Sequence, residues 1–174
     1  IRRGTQFHWH NDGYEDFDAF LNNLSSRKRK NIRKERASVR NAGVEMLALT
    51  GADIKTHHID HFYSFYLSTI DRKWGGAYLT RDFFDIVHTT MADRLLLVMA
   101  SFDGNLIGGA LNFIGADTLY GRNWGATKHV QNLHFEACYY QAIDFAISHK
   151  LRCVEAGAQG FHKVQRGYLP ITTY

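Results

Sequence analysis

Along residues 53–72 the apolar side chains Ile59, Phe62, Tyr63, Tyr66 and Ile70 fall on one stripe at helical spacing, behind Asp53 as a cap. Residues 80–91 repeat the arrangement, with Thr80 as the cap and Phe83, Phe84, Val87 and Met91 facing inward. Phe17, Phe20, Leu21 and Leu24 mark a shorter helix within 14–24, and residues 134–149 form a helix apolar on most sides. Such a helix belongs against a sheet. Between these the period changes to two. RLLLVMASF (94–102) and LIGGALNFI (106–114) flank Asp103-Gly104-Asn105, a hairpin signal, and TLYGRNW (118–124) adds a third strand. Residues 5–10, 44–49 and 152–156 are further strand candidates, and 160–174 reads as a loop ending in one. Helices, a β-meander, a long helix and a strand predict an α+β domain whose mixed, mostly antiparallel sheet is flanked by helices.

The chain has 174 residues, 45% hydrophobic and 14% aromatic. That is one domain's length with enough apolar surface for a core, which excludes a disordered segment. One proline, Pro170, and the absence of a Ser/Gly-rich stretch leave no internal boundary, so residues 1–174 read as a single domain. No apolar run reaches the ~20 residues of a membrane span, and IRRGTQFHWH is not a signal peptide. Cys138 and Cys153 read as reduced thiols of a cytoplasmic protein. The start at Ile1 and the end at ITTY read as a piece of a longer protein.

Charge changes the picture at one place. Residues 25–44 hold eight Lys and Arg against Glu35 alone, while the other 13 cationic and 16 acidic side chains leave the rest of the chain at −3. The overall +4 therefore belongs to one helix, capped by Ser25 or Ser26 and stopped by Gly43. At 100° per residue, Arg29, Arg33, Arg36 and Arg40 share a stripe about 60° wide. Ile32 and Val39 lie on the neighbouring face and dock the helix. Guanidinium groups spaced by roughly 5–6 Å match successive phosphates on a nucleic-acid strand; the bland alternative is a solvated face.

The segment Ser26-Arg27-Lys28-Arg29-Lys30-Asn31-Ile32-Arg33-Lys34-Glu35-Arg36, followed by Gly43-Val44, resembles the R-x-N-I-R-K-A-x-K-x-G-V segment of the Fem-type aminoacyltransferases. Asp103-Gly104-Asn105-Leu106-Ile107-Gly108-Gly109-Ala110-Leu111 is similar to that family's D-G-K-x-I-A-G-A-L hairpin. Leu133, Phe135-Glu136, Gln141-Ala142-Ile143 and Val154-Glu155-Ala156-Gly157 resemble its helix and following strand. His162-Lys163-Val164-Gln165-Arg166-Gly167-Tyr168 resembles its Y-K-F-K-x-G-F loop. The match spans about residues 24–168, nearest to the FemAB-like branch of bacterial proteins. It implies a GNAT-like acyltransferase fold, with this chain as the second of two GNAT-like halves and the N-terminal half missing. The implied partners are an acyl donor, aminoacyl-tRNA or acyl-CoA, and an amine acceptor such as a peptidoglycan precursor. It also implies that Lys163, Arg166, Gly167 and Tyr168 line the donor channel. No cofactor beyond that donor and no metal is expected.

Other candidates come from the residues themselves. His162 replaces an aromatic of the family loop and has the proton affinity to act on an attacking amine. Glu155 and Glu136 are carboxylates in apolar elements, which ion pairing or general-base work would explain. Arg122 opens Arg122-Asn123-Trp124-Gly125-Ala126-Thr127, the nearest imitation of an acetyl-CoA loop, although about seven residues separate it from the next helix. Arg72-Lys73-Trp74-Gly75, with Tyr78 and Arg81, reads as a pocket wall for an anionic acceptor or as ordinary cationic helix capping. Gly108-Gly109 inside a strand points to a bulge or to a closely approaching substrate. His57, His58 and His61 have helix-face spacing for zinc, but no third ligand accompanies them. A non-catalytic module binding nucleic acid or a cell-wall precursor is the reading from another class.

Overall fold

The meander predicted over 94–124 forms the middle of a seven-stranded sheet in the computed structural model, which describes residues 3–71, 76–158 and 160–174. In chain order the elements are β1 (Gly4–His10), α1 (Phe17–Asn22), α2 (Ser26–Asn41), β2 (Val44–Thr50), α3 (Thr56–Asp71) and α4 (Arg81–Met91). Then follow β3 (Leu95–Phe102), β4 (Asn105–Ile114), β5 (Thr118–Ala126), α5 (Leu133–Phe135), a π-helical turn (Glu136–Tyr140), α6 (Gln141–Ser148), β6 (Cys153–Glu155), a 3-10 turn (Phe161–Arg166) and β7 (Leu169–Thr173). The strand order is β2-β3-β4-β5-β6-β1-β7, and only β5 and β6 run parallel.

Local chemistry accounts for the boundaries. Ser25 Oγ accepts from the Lys28 amide at 3.5 Å, which starts the basic helix, and Gly43 takes a φ of 77° just past its end. Asp103 and Gly104, both at positive φ, form the tight turn that pairs Phe102 with Asn105. Asp53 differs from expectation: it closes a separate 3-10 turn, Gly51–Asp53, and α3 begins at Thr56. The helix over 133–148 also departs from a plain α-helix. Its π turn adds a residue per turn, so that Glu136, Ala137, Tyr139 and Tyr140 are all buried.

β3 is apolar and buried from Leu95 to Ala100 because it is covered on both faces. Leu96 and Val98 pack under α2 and the 133–148 helix with Phe7, Trp9, Tyr140 and Val154. Leu95, Leu97 and Met99 pack under α3 and α4 with Phe62, Tyr66 and Phe84. Ile32 and Val39 are 1% exposed, as docking residues of the basic helix should be. α3 lies directly on β5: a Cβ on Gly125 would stand 1.9 Å from the Phe65 carbonyl oxygen. The Gly108-Gly109 signal resolves into a bulge and close packing together. Ala100 pairs with Gly108 and Ser101 with Leu106, leaving Ile107 as the extra residue, and a Cβ on Gly109 would reach 2.8 Å from Met99 Sδ.

The feature that positions the site is the end of the parallel pair. β5 and β6 pair only from Thr118↔Cys153 to Tyr120↔Glu155, after which β6 stops and β5 continues six residues with β4 alone beside it. A second bulge, at Arg122, falls at this divergence, since Leu111 pairs with Asn123 and Asn112 with Gly121.

Candidate functional site

Two adjoining cavities open where β5 leaves β6. The inner one, about 120 Å³, is lined by Asn112, Gly121, Trp124, His134, Cys138 and Tyr139 among others. The outer one, about 660 Å³, shares Trp124 and His134 and continues along Thr127–Val130 to the start of the helix at Leu133. The 127–132 segment, which separates β5 from the helix, thus folds back as a wall. Asn132, at φ 65°, turns the chain into the helix. Arg122, Lys128 and His129 are exposed cationic or titratable side chains of this region, with Lys128 Nζ 3.3 Å from the Phe102 ring centre.

His162 lines neither cavity itself but packs against His134 and Tyr139, which do. Its ring lies among those of His134, Phe135 and Tyr139, and the Tyr139 hydroxyl is 3.0 Å from Nε2. Burial, then the charges of Arg166 and Lys163, hold its proton affinity below the ordinary histidine value. Burial pushes the Tyr139 phenol up, so it remains protonated beside the imidazole. The ring also packs over Gly160, where a Cβ would strike its Cε1 at 2.3 Å.

Lys163, Arg166 and Tyr168 of the 161–168 segment are held inside the chain rather than presented to the cleft. Arg166, 6% exposed, forks onto Glu35 at 2.7 and 3.1 Å, donates to the His162 carbonyl at 2.8 Å and covers the Phe135 ring at 3.4 Å. The Tyr140 hydroxyl donates to the same carboxylate. Lys163 is 4% exposed and donates to the carbonyls of Ala156 and Gly157 at 2.5 and 3.1 Å, so its ammonium clasps the chain just after β6. Burial lowers its proton affinity, and among the described residues no carboxylate is its hydrogen-bond partner. Tyr168 is fully buried, donates to the Tyr139 carbonyl at 3.3 Å, and does not line the cleft. The turn's cationic residues therefore position His162 instead of facing the cavity.

Three of the four arginines of the stripe are likewise partnered. Arg36 reaches Glu136 at 3.0 Å and Asp144 at 2.6 Å, and lies 4.4 Å from the Phe17 ring centre. Arg33 pairs with Asp18 at 2.8 Å in solvent, and Arg29 donates to the Asn22 carbonyl at 3.4 Å. The row faces α1 and α6, while Lys28 and Glu35, on another side of α2, hold the 161–166 turn. Glu136 is 4% exposed and ion-paired, the structural option of the two foreseen for it. Glu155 alternates with Val154 and Ala156, so its carboxylate lies on the face away from the cleft, 3.7 Å from His8 Nε2. Trp74 and its neighbours Arg72, Lys73 and Gly75 lie outside the described residues. Asn112, His134 and Tyr139 escaped sequence reasoning. Only Asn112, a polar residue within the apolar run 106–114 and 1% exposed with Nδ2 3.3 Å from the Leu96 carbonyl, left a readable signal.

A mixed sheet that opens after its one parallel pair, with a cleft at the opening, defines the GNAT-like fold. Among solved structures the chain is similar to FemX (TM-score 0.72, 11% identity, 95% of this chain and 59% of that one). It is also similar to L-PGS from Bacillus licheniformis (TM-score 0.66, 9% identity, 98% and 59%). A conserved protein of unknown function from Bacteroides thetaiotaomicron matches as well (TM-score 0.62, 15% identity, 97% and 56%). The chain thus spans less than two thirds of each of these structures. No curated protein matches it in sequence. The FemAB-like family, described as peptidoglycan biosynthesis/recognition, matches residues 1–174, and the chain belongs to it.

Proposed function

We propose that this chain is one GNAT-like half of a longer Fem-type acyltransferase, which passes an aminoacyl or other acyl group from an activated carrier to an amine, such as that of a peptidoglycan precursor. The observation that carries the reading is the cleft at the β5–β6 divergence, whose lining residue Tyr139 contacts His162 Nε2 at 3.0 Å. An activated ester or thioester needs little beyond positioning, a proton acceptor for the attacking amine and a donor for the oxyanion. In this reading His162, neutral at pH 7, takes the ammonium proton. The amine nitrogen then attacks the acyl carbon, the free edge of β5 beyond Tyr120 faces the oxyanion, and the carrier's oxygen or sulfur departs with a proton. Glu155 assists only through the strand that carries it.

The carrier's phosphates lie in the outer cavity, beside Lys128, His129 and the helix start at Leu133, where backbone N–H groups and the helix dipole favour negative charge. That placement accommodates aminoacyl-tRNA and acyl-CoA alike. The arginine row lies apart from this cavity, with Arg29 and Arg33 turned to α1 and Arg36 neutralised by two carboxylates. The test is transfer by the full-length protein from radiolabelled aminoacyl-tRNA and from acyl-CoA, with His162→Ala and Lys128→Glu. His162→Ala should lower kcat by ~10²-fold or more, and Lys128→Glu should raise KM for the donor. Unchanged turnover in His162→Ala would overturn the assignment of the proton acceptor. Retained acceptor binding without transfer from either donor would favour the recognition module.

A further inference from the structure

The sheet face opposite the cleft carries a cluster that acyl transfer does not use. β1 and β6 run antiparallel, with His8 opposite Glu155 and His10 opposite Cys153. Phe7, Trp9 and Val154 take the core face, so alternation sends His8, His10, Cys153 and Glu155 to the other one. One donor atom each from His8, His10 and Cys153 lies within 4.8 Å of the other two. His8 Nε2 is buried with no hydrogen-bond partner, and Glu155 Oε1 stands 3.7 Å from it. An imidazole nitrogen buried without a partner costs about 1–3 kcal/mol, so the arrangement is incomplete as protein alone.

We propose that His8, His10 and Cys153 bind a zinc ion, with Glu155 as the adjoining carboxylate and the fourth position open to water. Two imidazoles and a thiolate form a borderline-soft donor set that suits zinc and disfavours magnesium or calcium, which take oxygen ligands. In a tetrahedral site with metal–nitrogen bonds of ~2.0–2.1 Å and a metal–sulfur bond of ~2.3 Å, the donors stand about 3.5 Å apart. Closing from 4.8 Å needs about 1 Å of side-chain adjustment, with no change of strand register. The ion would join β1 to the shortest strand of the sheet, three residues long, whose end opens the cleft. Its role is a staple on that strand and does not depend on the acyl-transfer reading.

The experiment is cobalt and zinc titration of the chelator-treated full protein, followed by absorption spectroscopy. One equivalent of Co²⁺ should produce a thiolate-to-cobalt charge-transfer band that Zn²⁺ removes. Cys153→Ser should abolish the band, and His10→Ala, at an exposed position, should weaken binding by about tenfold or more. Zinc should raise the melting temperature of the wild type and leave Cys153→Ser unmoved. Absence of the band would overturn the proposal. So would a band that survives Cys153→Ser, which would assign the thiolate elsewhere, or an affinity unaffected by His10→Ala.

Discussion

Glu35 is the one acid in the basic helix, and replacing it with glutamine is the sharpest test of how the 161–166 turn is held. Its carboxylate receives Arg166 Nη2 at 2.7 Å, Arg166 Nε at 3.1 Å and the Tyr140 hydroxyl, while the Glu35 and Arg166 side chains are 21% and 7% exposed. Glutamine preserves the volume but removes the charge, and its amide NH₂ then faces donors. Removing one partner of a buried ion pair costs about 3–5 kcal/mol. Arg166 keeps the His162 carbonyl and the Phe135 ring, and Glu35 is a fifth exposed, so about 3 kcal/mol is expected. For a domain of this length that lowers the melting temperature by about 6–12 °C. Urea unfolding followed by tryptophan fluorescence measures it, since Trp9 is 1% exposed, and an unchanged m-value would certify a loss of stability alone. Arg33→Gln is the control: its pair with Asp18 is in solvent, so it should cost at most about 1 kcal/mol. A Glu35→Gln protein within 1 kcal/mol of wild type would refute the claim that this network fixes the turn.

Gly125→Ala should prevent accumulation of folded protein, because its Cβ would enter the Phe65 carbonyl at 1.9 Å; normal soluble expression with an unchanged circular dichroism spectrum would contradict the helix-on-strand contact. His162 should titrate below 6.5 by NMR, since burial and then Arg166 and Lys163 lower it. Its neutral form is the favoured one, so any stability linked to it is present above pH 6.5 and declines as the pH falls toward the folded midpoint. Lys163→Met should move that midpoint upward, and a wild-type midpoint above 6.5 would speak against the arrangement. Cys138, whose thiol burial pushes far up, should resist alkylation at pH 8 in the folded protein and react once unfolded. Tyr139→Phe should leave the fold intact and reduce transfer through loss of the 3.0 Å contact to His162, an effect read in kcat with KM for the donor unchanged.

The elements were legible in the chain because each has a local cause. Thr80 and Ser25 cap helices through their own oxygens, Asp103-Gly104 can form only a tight turn, and the stripe of Ile59, Phe62 and Tyr66 can be satisfied only by a sheet. The π turn at Glu136–Tyr140 was not legible, since it exists to bring several side chains inward at once, and nothing in the local pattern separates it from an α-helix.

The site was legible in position but not in roles. Composition located a cationic helix and a Gly-bounded loop with His162, but charge on a one-dimensional chain carries no direction. Tertiary packing decided that Arg36 meets Glu136 and Asp144, that Arg166 meets Glu35, more than a hundred residues away, and that Lys163 closes on the chain's own carbonyls. A buried cation must find an acid or a carbonyl, and which one it finds depends on where the sheet brings distant segments together. The sequence by itself determined the helices, the strands, the tight turn and the family pattern, all set by neighbours a few residues apart. Only the folded sheet decided which of its many cations and histidines border a cleft, because that depends on the single parallel pairing of β5 with β6 and on the place where it ends.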